Sequence, residues 1–229
     1  GTNSYVVAWG GNSGGTLYCW DLATGTQQWA VSMPLSSIYG AYKAHPFHLN
    51  GKIYISPHST SATAPKPIYR VDAATGSYDT LAIRYFEMWG GWCSDSSYIY
   101  CSAGGPYSSY GRVYKYDIAT GNLVDSVNTA STGNEAPCAT YDGKVYLMID
   151  GTLYCFATSD LTQVWSRSIS GTVDSQWMAL DMFPGGNVYC SPYVGSGSGY
   201  VYAFKQADGT NAWASNPVTL PNQTIYNGA

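Results

Sequence analysis

Short stretches in which apolar and polar residues alternate recur along the whole chain, and most of them contain a tyrosine. One pattern, an apolar residue followed directly by tyrosine, occurs at Leu17–Trp20, Ile68–Val71, Val113–Tyr116, Leu153–Phe156 and Val201–Phe204. A period of two residues is typical of a β-strand with one buried face. The turn that follows ends in Gly25, Gly76, Gly121 or Gly209 in four repeats and has Leu161 in the other. Each repeat therefore predicts a strand, a tight turn and a second strand.

A second set of tyrosine-containing strands precedes the first set. Its tyrosines are Tyr5, Tyr54, Tyr100, Tyr146 and Tyr189, at intervals of 43 to 49 residues. The hairpin dipeptides Asn50-Gly51 and Asp142-Gly143, and also Gly185-Gly186, lead into three of these strands. One more strand is expected before each hairpin, at 41–46, 87–93, 134–139 and 174–180. Each period therefore predicts four antiparallel strands in meander order.

The repeat continues across the two ends of the chain. The interval from Tyr189 through Ala229 and on from Gly1 to Tyr5 is 45 residues, which is as regular as the internal intervals. Four-stranded units of about 40–50 residues are typical of propeller blades. The sequence therefore predicts an all-β fold, a five-bladed β-propeller of four-stranded antiparallel blades, in which a C-terminal strand at 222–226 completes the N-terminal blade.

This fold occupies the chain as a single predicted domain, 1–229. Its blades are expected at about 222–229 plus 1–34, 35–84, 85–130, 131–170 and 171–220. An open solenoid and two small β domains are the alternatives, but both leave the regular interval across the chain ends unexplained.

Charge and composition narrow the classes of function. Of 229 residues, 10% are charged. The chain has 10 Lys and Arg against 14 Asp and Glu, which gives a net charge of −4. Nucleic-acid binding is not expected, because phosphate contacts need clustered basic side chains. No apolar run approaches the length of a membrane span, so membrane insertion is not expected either.

The cysteines and the low charge predict an extracellular or cell-surface, secreted protein. Six cysteines permit disulfides, although some could be buried thiols. Cys93 and Cys101 flank a short turn and are the local disulfide candidates, and Asn222 lies in the only glycosylation sequon. The chain begins at Gly1 without an initiator Met, which we interpret as a processed chain or an excised piece.

The repeats resemble the PQQ-like repeat of the quinoprotein alcohol dehydrogenase-like propellers. Leu17–Trp29 matches its apolar-Tyr-x-x-Asp-x-x-Thr-Gly-x-x-x-Trp pattern fully, and Trp165 and Trp213 stand at the same offset from their tyrosines. The resemblance implies a propeller, in a family that holds dehydrogenases, outer-membrane assembly scaffolds and secreted repeat proteins. Family enzymes place adjacent cysteines beside PQQ, but no two cysteines here are neighbours, and no Cys-x-x-Cys-His haem motif occurs. PQQ, haem and calcium are therefore not expected.

Repeated polar residues have a structural interpretation. Asp21, Asp72 and Asp117 recur at one position, where they could form a calcium ring or cap their own Ala-Thr-Gly turns. Recurrence in step with the turn favours the capping role. His45, His48 and His58 do not form a recognisable ligand set, so no metal site is predicted.

Candidate binding residues lie where the repeats differ, in the loops between second and third strands and at the entries to the first strands. The candidates are Tyr39, Tyr42, His58, Glu87, Trp89, Trp92, Tyr107, Tyr110, Glu135, Asp174, Gln176, Trp177 and Tyr193. In a propeller these segments share one rim, which would be aromatic and weakly acidic. Aromatic rings beside carboxylates and amides suit a protein segment or a glycan.

The sequence therefore predicts a non-catalytic extracellular binding or structural module that recognises a protein segment or glycan on one loop rim. One alternative is a glycoside-acting enzyme that uses the rim carboxylates Glu87, Glu135 and Asp174. Another is a structural subunit of a surface assembly that associates with itself through exposed tyrosines.

Overall fold

The structure is a computed structural model and describes residues 3–9, 15–34, 46–56, 66–84, 92–103, 111–129, 138–149, 151–169, 174–183, 186–193 and 199–220. Within these ranges the regular structure is β-strand, and no helix is long and apolar enough to cross a membrane. The chain divides into two compact units. The first unit holds 1–88 and 118–122, and the second holds 89–117 and 123–229.

The described strands form five antiparallel sheets, each in meander order. The first holds β1 (Asn3–Trp9), β2 (Gly15–Asp21) and β3 (Gln27–Met33); the second holds β4 (Phe47–Leu49), β5 (Lys52–Ile55), β6 (Lys66–Asp72) and β7 (Tyr78–Arg84). The third holds β8 (Trp92–Ser94), β9 (Tyr98–Ala103), β10 (Gly111–Asp117) and β11 (Leu123–Thr129). The fourth holds β12 (Cys138–Tyr141), β13 (Lys144–Ile149), β14 (Thr152–Ala157) and β15 (Gln163–Ser168); the fifth holds β16 (Asp174–Phe183), β17 (Asn187–Tyr193), β18 (Gly199–Lys205) and β19 (Val218–Leu220).

The meander of four strands is confirmed in the second to fifth sheets, and the first sheet shows three strands. The segment 222–229, which is predicted to complete the first sheet, lies outside the described residues. The closure of the ring by that segment therefore stays a prediction.

Two first strands lie closer to their hairpins than predicted. Strand β4 is Phe47–Leu49, directly after the predicted 41–46, and β12 runs on to Tyr141. The tight turns bring Leu49 opposite Lys52 and Tyr141 opposite Lys144, so pairing starts at the residues that flank the turn. Pro46, which ends the predicted strand, lacks an N–H to donate to a neighbour. Residues 41–45 lie outside the described residues.

The recurring turn aspartates cap their turns. Asp21 Oδ1 accepts hydrogen bonds from the backbone N–H groups of Ala23 and Thr24, at 2.9 and 2.8 Å, and from the Thr24 hydroxyl. Asp72 Oδ1 accepts the same three bonds in the second sheet, from Ala74 and Thr75. These bonds confirm the capping role for both residues, and for Asp117 it stays a prediction.

Tryptophans join adjacent sheets within each unit. Trp29 of β3 donates its indole N–H to the Ala73 carbonyl in the next sheet, over 3.1 Å. Trp165 of β15 donates in the same way to the Gln206 carbonyl, also over 3.1 Å. Both carbonyls belong to the turn between the third and fourth strands of a sheet, so the outer strand of one sheet is fixed to a turn of the next.

The outer strand of the fifth sheet departs from the predicted pattern. After the turn at Gly209, Asn211 makes an isolated bridge with Phe204, and the chain then bends before β19 begins at Val218. The Asn216 side chain accepts a hydrogen bond from the Ala203 N–H at 2.9 Å and donates one to the Ala203 carbonyl at 3.0 Å. The amide oxygen thus satisfies the Ala203 N–H, which a continuous outer strand would otherwise pair, while the Ala203 carbonyl also accepts the Ala212 N–H at 2.9 Å.

Candidate functional site

The structure describes little of the predicted loop rim. Tyr39, Tyr42, His58, Glu87, Trp89, Tyr107, Tyr110, Glu135 and the sequon residue Asn222 lie outside the described residues. Asp174, Gln176 and Trp177 lie in β16 and Tyr193 lies in β17, where Asp174 pairs with Tyr193; only their backbone is described. The role of these residues stays a prediction.

Trp92 is the rim candidate whose side chain the structure describes. It lies in β8 and is 8% exposed. Its ring is buried in the packed part of the sheet, and its role in ligand binding stays a prediction.

The predicted pairing of Cys93 with Cys101 is wrong. Cys93 forms a disulfide with Cys138, and their Cα atoms are 5.4 Å apart. Cys101 pairs across the hairpin with Trp92, the neighbour of Cys93. Successive residues of a strand face opposite sides of the sheet, so Cys101 and Cys93 point away from each other. Cys101 is buried and forms no disulfide.

The disulfide links the first strands of two neighbouring sheets in the second unit. Cys93 belongs to β8 and Cys138 to β12. The Thr140 hydroxyl adds a hydrogen bond of 2.6 Å to the Ser94 carbonyl between the same two strands. One covalent and one polar contact therefore fix the position of β8 relative to β12.

An open groove of about 270 Å³ lies beside these strands, where the turns after β8, β12 and β14 come together. We call it the hairpin groove, and its lining residues are Asp95, Thr140, Tyr141, Asp142, Gly143, Lys144 and Thr158. These turns lie at the opposite ends of the strands from the predicted loop rim.

One wall of the hairpin groove has its polar groups fully engaged. Asp95 accepts hydrogen bonds from the N–H groups of Ser97 and Tyr98, both at 2.8 Å, and from the Tyr100 hydroxyl at 2.7 Å. Burial raises the pKa of Tyr100 well above its usual range, so the phenol remains a donor. Lys115 donates to the Thr158 carbonyl at 2.6 Å. This wall is therefore a fixed support.

The opposite wall offers groups that a ligand could contact. Tyr141 is 36% exposed, and the Asp142 carboxylate and Lys144 ammonium follow it directly around the hairpin. Within the described residues, neither Asp142 nor Lys144 has a hydrogen-bond or salt-bridge partner for its side chain. The Asp142 carboxylate thus lies on a two-residue turn, and the Tyr141 ring and the Lys144 ammonium flank that turn.

A second groove, of about 300 Å³, lies in the first unit, and its charged side chains are paired with each other. It is lined by Lys52, Arg70, Asp72, Ser77, Tyr78 and Asp79. Its charges pair with each other, Lys52 with Asp72 at 2.9 Å and Arg70 with Asp79 at 2.6 Å. The Lys52 ammonium and the Thr75 bonds lower the pKa of Asp72 to about 2. Because these charges are already paired, the hairpin groove is the better candidate site.

That the chain binds no PQQ, haem or calcium stays a prediction. Cys19, Cys101, Cys155 and Cys190 are buried in separate strands, and Cys93 is bonded to a residue in another sheet, so no pair of adjacent cysteines is present. Burial raises the pKa of Cys155 to about 11 and that of Cys190 to about 12, which keeps both thiols neutral. No group of three His, Cys, Asp or Glu side chains in the described ranges could hold a metal ion.

Sequence reasoning missed the hairpin groove. Asp142-Gly143 was interpreted only as a turn, because the dipeptide is a strong hairpin signal. The flanking residues are the signal that distinguishes this turn. Tyr141 and Lys144 flank Asp142-Gly143 with an aromatic and a charged side chain. The other hairpin dipeptide, Asn50-Gly51, is flanked by Leu49 and Lys52 and so has no aromatic neighbour.

Comparisons with known proteins identify the fold. A family profile described as outer membrane protein assembly factor BamB matches residues 109–228, just over half of the chain. The crystal structure of BamB from Moraxella catarrhalis is similar, with a TM-score of 0.60 and 17% identity over 93% of this chain and 60% of that protein. A europium-containing methanol dehydrogenase is similar with a TM-score of 0.62 and 15% identity, over 94% of this chain and 49% of that one.

No curated protein sequence matches the chain. The chain spans less than two thirds of the length of either similar structure. The similarities confirm the PQQ-like propeller fold, while the number of its blades stays a prediction.

Proposed function

Because the chain belongs to the family of PQQ-like propellers described as outer membrane protein assembly factor BamB, we propose that it is a non-catalytic module that binds a segment of another protein. The hairpin groove is the proposed binding surface. The observation that carries the proposal is the exposed ring of Tyr141 beside the unpaired charges of Asp142 and Lys144.

The chemistry of this turn suits a peptide. A tyrosine ring offers a flat apolar surface with a polar tip, and rings of this kind are enriched at protein interfaces. Asp142 would pair with a basic side chain of the segment, and Lys144 with an acidic side chain or a carbonyl. Two charges of opposite sign on one short turn would fix the direction in which the segment lies.

The size of the groove also favours a segment that lies across it. Its volume of about 270 Å³ is below the roughly 300–1,000 Å³ that is usual for small-molecule pockets. An open groove of this size accepts one or two side chains while the rest of the segment follows the surface. The Cys93–Cys138 disulfide and the Thr140–Ser94 hydrogen bond hold one side of the groove in place before binding, which reduces the entropy lost on association.

The proposed location is extracellular or another oxidising compartment outside the cytoplasm. The Cys93–Cys138 disulfide supports it, because such bonds persist where the environment is oxidising. A glycan ligand, the loop rim as binding surface, and the glycosidase alternative stay hypotheses of lower standing, because most of the residues that they require lie outside the described ranges.

The proposal is tested by selecting peptides from a random phage-displayed library on the immobilised chain and measuring their affinity by calorimetry. Tyr141→Ala and the charge-neutral Asp142→Asn/Lys144→Gln variant are expected to weaken binding by about tenfold or more, which is the usual size of a hot-spot effect. Tyr78→Ala is the matched control, since Tyr78 is 39% exposed and lines the other groove.

Selected peptides that bind all variants equally would contradict the hairpin groove as the binding surface. The absence of any selected peptide, together with binding to a glycan array, would contradict the protein-binding function itself.

A further inference from the structure

The disulfide of the second unit is accessible to a reductant in the folded chain. Cys93 and Cys138 are both partly exposed, whereas the other four cysteines are buried. Thiol–disulfide exchange requires that a thiolate reach one of the two sulfur atoms. Reduction of this bond is therefore a reaction that the chain can undergo without unfolding first.

The bond joins two chain segments that lead into the hairpin groove. Cys93 stands two residues before Asp95, which lines the engaged wall. Cys138 stands two residues before Thr140, which also lines the groove and is followed directly by Tyr141 of the opposite wall. The distance between the two walls therefore depends on the position of β8 relative to β12.

Apart from the disulfide, β8 and β12 are held by few contacts. Strand β8 pairs with β9 over three residues, and β12 pairs with β13 over four. Each is the first strand of its sheet, so within the described residues it has a pairing partner along one edge. The Thr140 hydroxyl and the Ser94 carbonyl make the hydrogen bond that links the two strands. Short edge strands of this kind open locally at a lower free-energy cost than the body of a sheet.

The bodies of the third and fourth sheets are joined independently of the disulfide. Tyr100 and Leu147 belong to one buried cluster that contains residues of both sheets. Lys115 of the third sheet donates hydrogen bonds to the Thr158 and Ser159 carbonyls of the fourth, at 2.6 and 2.9 Å. Loss of the disulfide is therefore expected to release the two first strands while the sheets stay packed.

We propose that the Cys93–Cys138 disulfide is a redox switch that controls the affinity of the hairpin groove, an inference that rests on the proposed function. In the oxidised chain, the bond holds the two walls in the arrangement that binds a segment. In the reduced chain, β12 and the turn after it open in most molecules, and the apparent dissociation constant rises as the fraction of the closed form falls.

The reductant is a dithiol. Its thiolate attacks one sulfur atom, a mixed disulfide forms, and the other cysteine leaves as a thiolate; the second thiol of the reagent then displaces the first cysteine. The protein gains two electrons and two protons, and the dithiol loses them and closes to its cyclic disulfide. Oxidation reverses the reaction, so the groove returns to its high-affinity form.

Calorimetry with a phage-selected peptide tests the switch. The oxidised wild type is expected to bind about tenfold more tightly than the chain reduced with dithiothreitol, as follows when the closed form falls to about a tenth of the molecules. Cys93→Ser/Cys138→Ser should bind like the reduced wild type, with or without dithiothreitol, and reoxidation should restore the affinity of the wild type alone. Equal affinity of the oxidised and reduced wild type would overturn the proposal.

Gly209→Ala is the control for a general loss of stability. It is expected to destabilise the second unit, because an ideal Cβ at Gly209 would lie 2.7 Å from the Trp165 ring, but it leaves β8, β12 and their disulfide unchanged. The variant should therefore bind the peptide as the wild type does. If it weakened binding as much as reduction does, global stability would set the affinity and the switch would be refuted.

Relaxation-dispersion NMR tests the switch without a ligand. The amide signals of Tyr141 and Lys144, which pair across the hairpin, should show exchange on the microsecond-to-millisecond scale in the reduced chain but not in the oxidised one. Those of β18 should show none in either state. If no peptide is selected, the proposed function fails, yet exchange confined to this hairpin would still support control of the groove by the disulfide. Identical dispersion profiles in the two states would overturn that control, whether or not a peptide binds.

Discussion

The ring of Trp165 occupies the position that a side chain on Gly209 would need. An ideal Cβ at residue 209 would lie 2.7 Å from the ring carbons, and the backbone there has a φ of +68°. Two separate constraints therefore favour glycine at position 209. The turn needs a residue that tolerates a positive φ, and the Trp165 ring of the neighbouring sheet leaves no room for a Cβ. The two requirements are separable, because other turn glycines of this chain meet only the first.

Gly209→Ala is expected to destabilise the protein more than Gly143→Ala. Both residues have similar φ values, +68° and +69°, but nothing lies within 4 Å of an ideal Cβ at Gly143. The strained backbone costs about 1–2 kcal/mol in either variant, and the overlap with Trp165 adds about 1–3 kcal/mol for Gly209 alone. Urea unfolding would measure both free energies, and equal losses would contradict this assignment of the Trp165 contact.

The fourth sheet has a leucine instead of a glycine at the same turn position. Leu161 stands where the other turns have glycine, with a φ of +52°, and its side chain is 1% exposed within a core cluster of the second unit. In the preceding sheet, Asp125 pairs with Lys115 as Trp29 pairs with Cys19, so an aspartate replaces the usual tryptophan. We infer that Leu161 supplies apolar volume that an indole supplies elsewhere.

Leu161→Gly is therefore expected to destabilise the protein although it restores the family residue. Removing a buried leucine costs about 2–5 kcal/mol, whereas relief of the positive φ returns only about 1–2 kcal/mol. Adding Asp125→Trp should recover part of the loss, because the indole would fill the cavity and rest on the new glycine. A double-mutant cycle in urea measures this coupling. Strictly additive effects would show that the two positions do not share one space.

The local elements could be predicted because they depend on short-range chemistry. Asn50-Gly51 and Asp142-Gly143 predict hairpins since both residues of such a turn need positive φ, and the structure gives 50° and 73° in the first and 47° and 69° in the second. Period-two alternation around tyrosine predicted the strands, and the interval between repeats predicted their grouping into sheets.

Contacts between sheets could not be predicted in the same way. Cys93 pairs with Cys138 because β8 and β12 lie side by side, and nothing within the local sequence of either cysteine records that distance. The hairpin groove has the same origin, since its walls come from turns that are separated in sequence and meet only when the sheets pack. The burial of the Trp92 ring has the same origin, since the sequence places this residue at the entry to a first strand and does not record what packs against it.

The Cys93–Cys138 disulfide is expected to contribute about 4 kcal/mol to stability, the chain-entropy value for a loop closed over a sequence separation of 45 residues. The Cys93→Ser/Cys138→Ser variant should therefore unfold at a lower urea concentration than the oxidised wild type. It should also be insensitive to reductant, whereas the wild type should lose stability when it is reduced.

Thiol counting by mass spectrometry gives an independent check of the pairing. In denaturant without reductant, Cys19, Cys101, Cys155 and Cys190 should be alkylated, and reduction should add Cys93 and Cys138. Protection of Cys101 before reduction would contradict the structure.

The pKa of Asp72 is expected to rise when Lys52 is replaced by methionine. The Lys52 ammonium is the largest cause of its lowering to about 2, and the Thr75 N–H and hydroxyl add to it. In Lys52→Met the pKa should therefore move towards its ordinary value without reaching it. A carboxylate with a lowered pKa stabilises the folded state above its unfolded pKa of about 4, and this contribution is lost as the pH falls through about 2.

The Lys52→Met variant should accordingly lose part of the stability that Asp72 provides above about pH 4. Asp21 has the same turn bonds and, among the described residues, no lysine partner, so its pKa should be unchanged and serves as the internal control. Carbon-detected NMR titration of both carboxyl groups measures the two values directly. Because the Lys52 and Asp72 side chains are 41% and 31% exposed, about 1 M salt should reduce the difference between wild type and variant. A salt-independent pKa in the wild type would mean that the turn bonds alone hold the carboxylate.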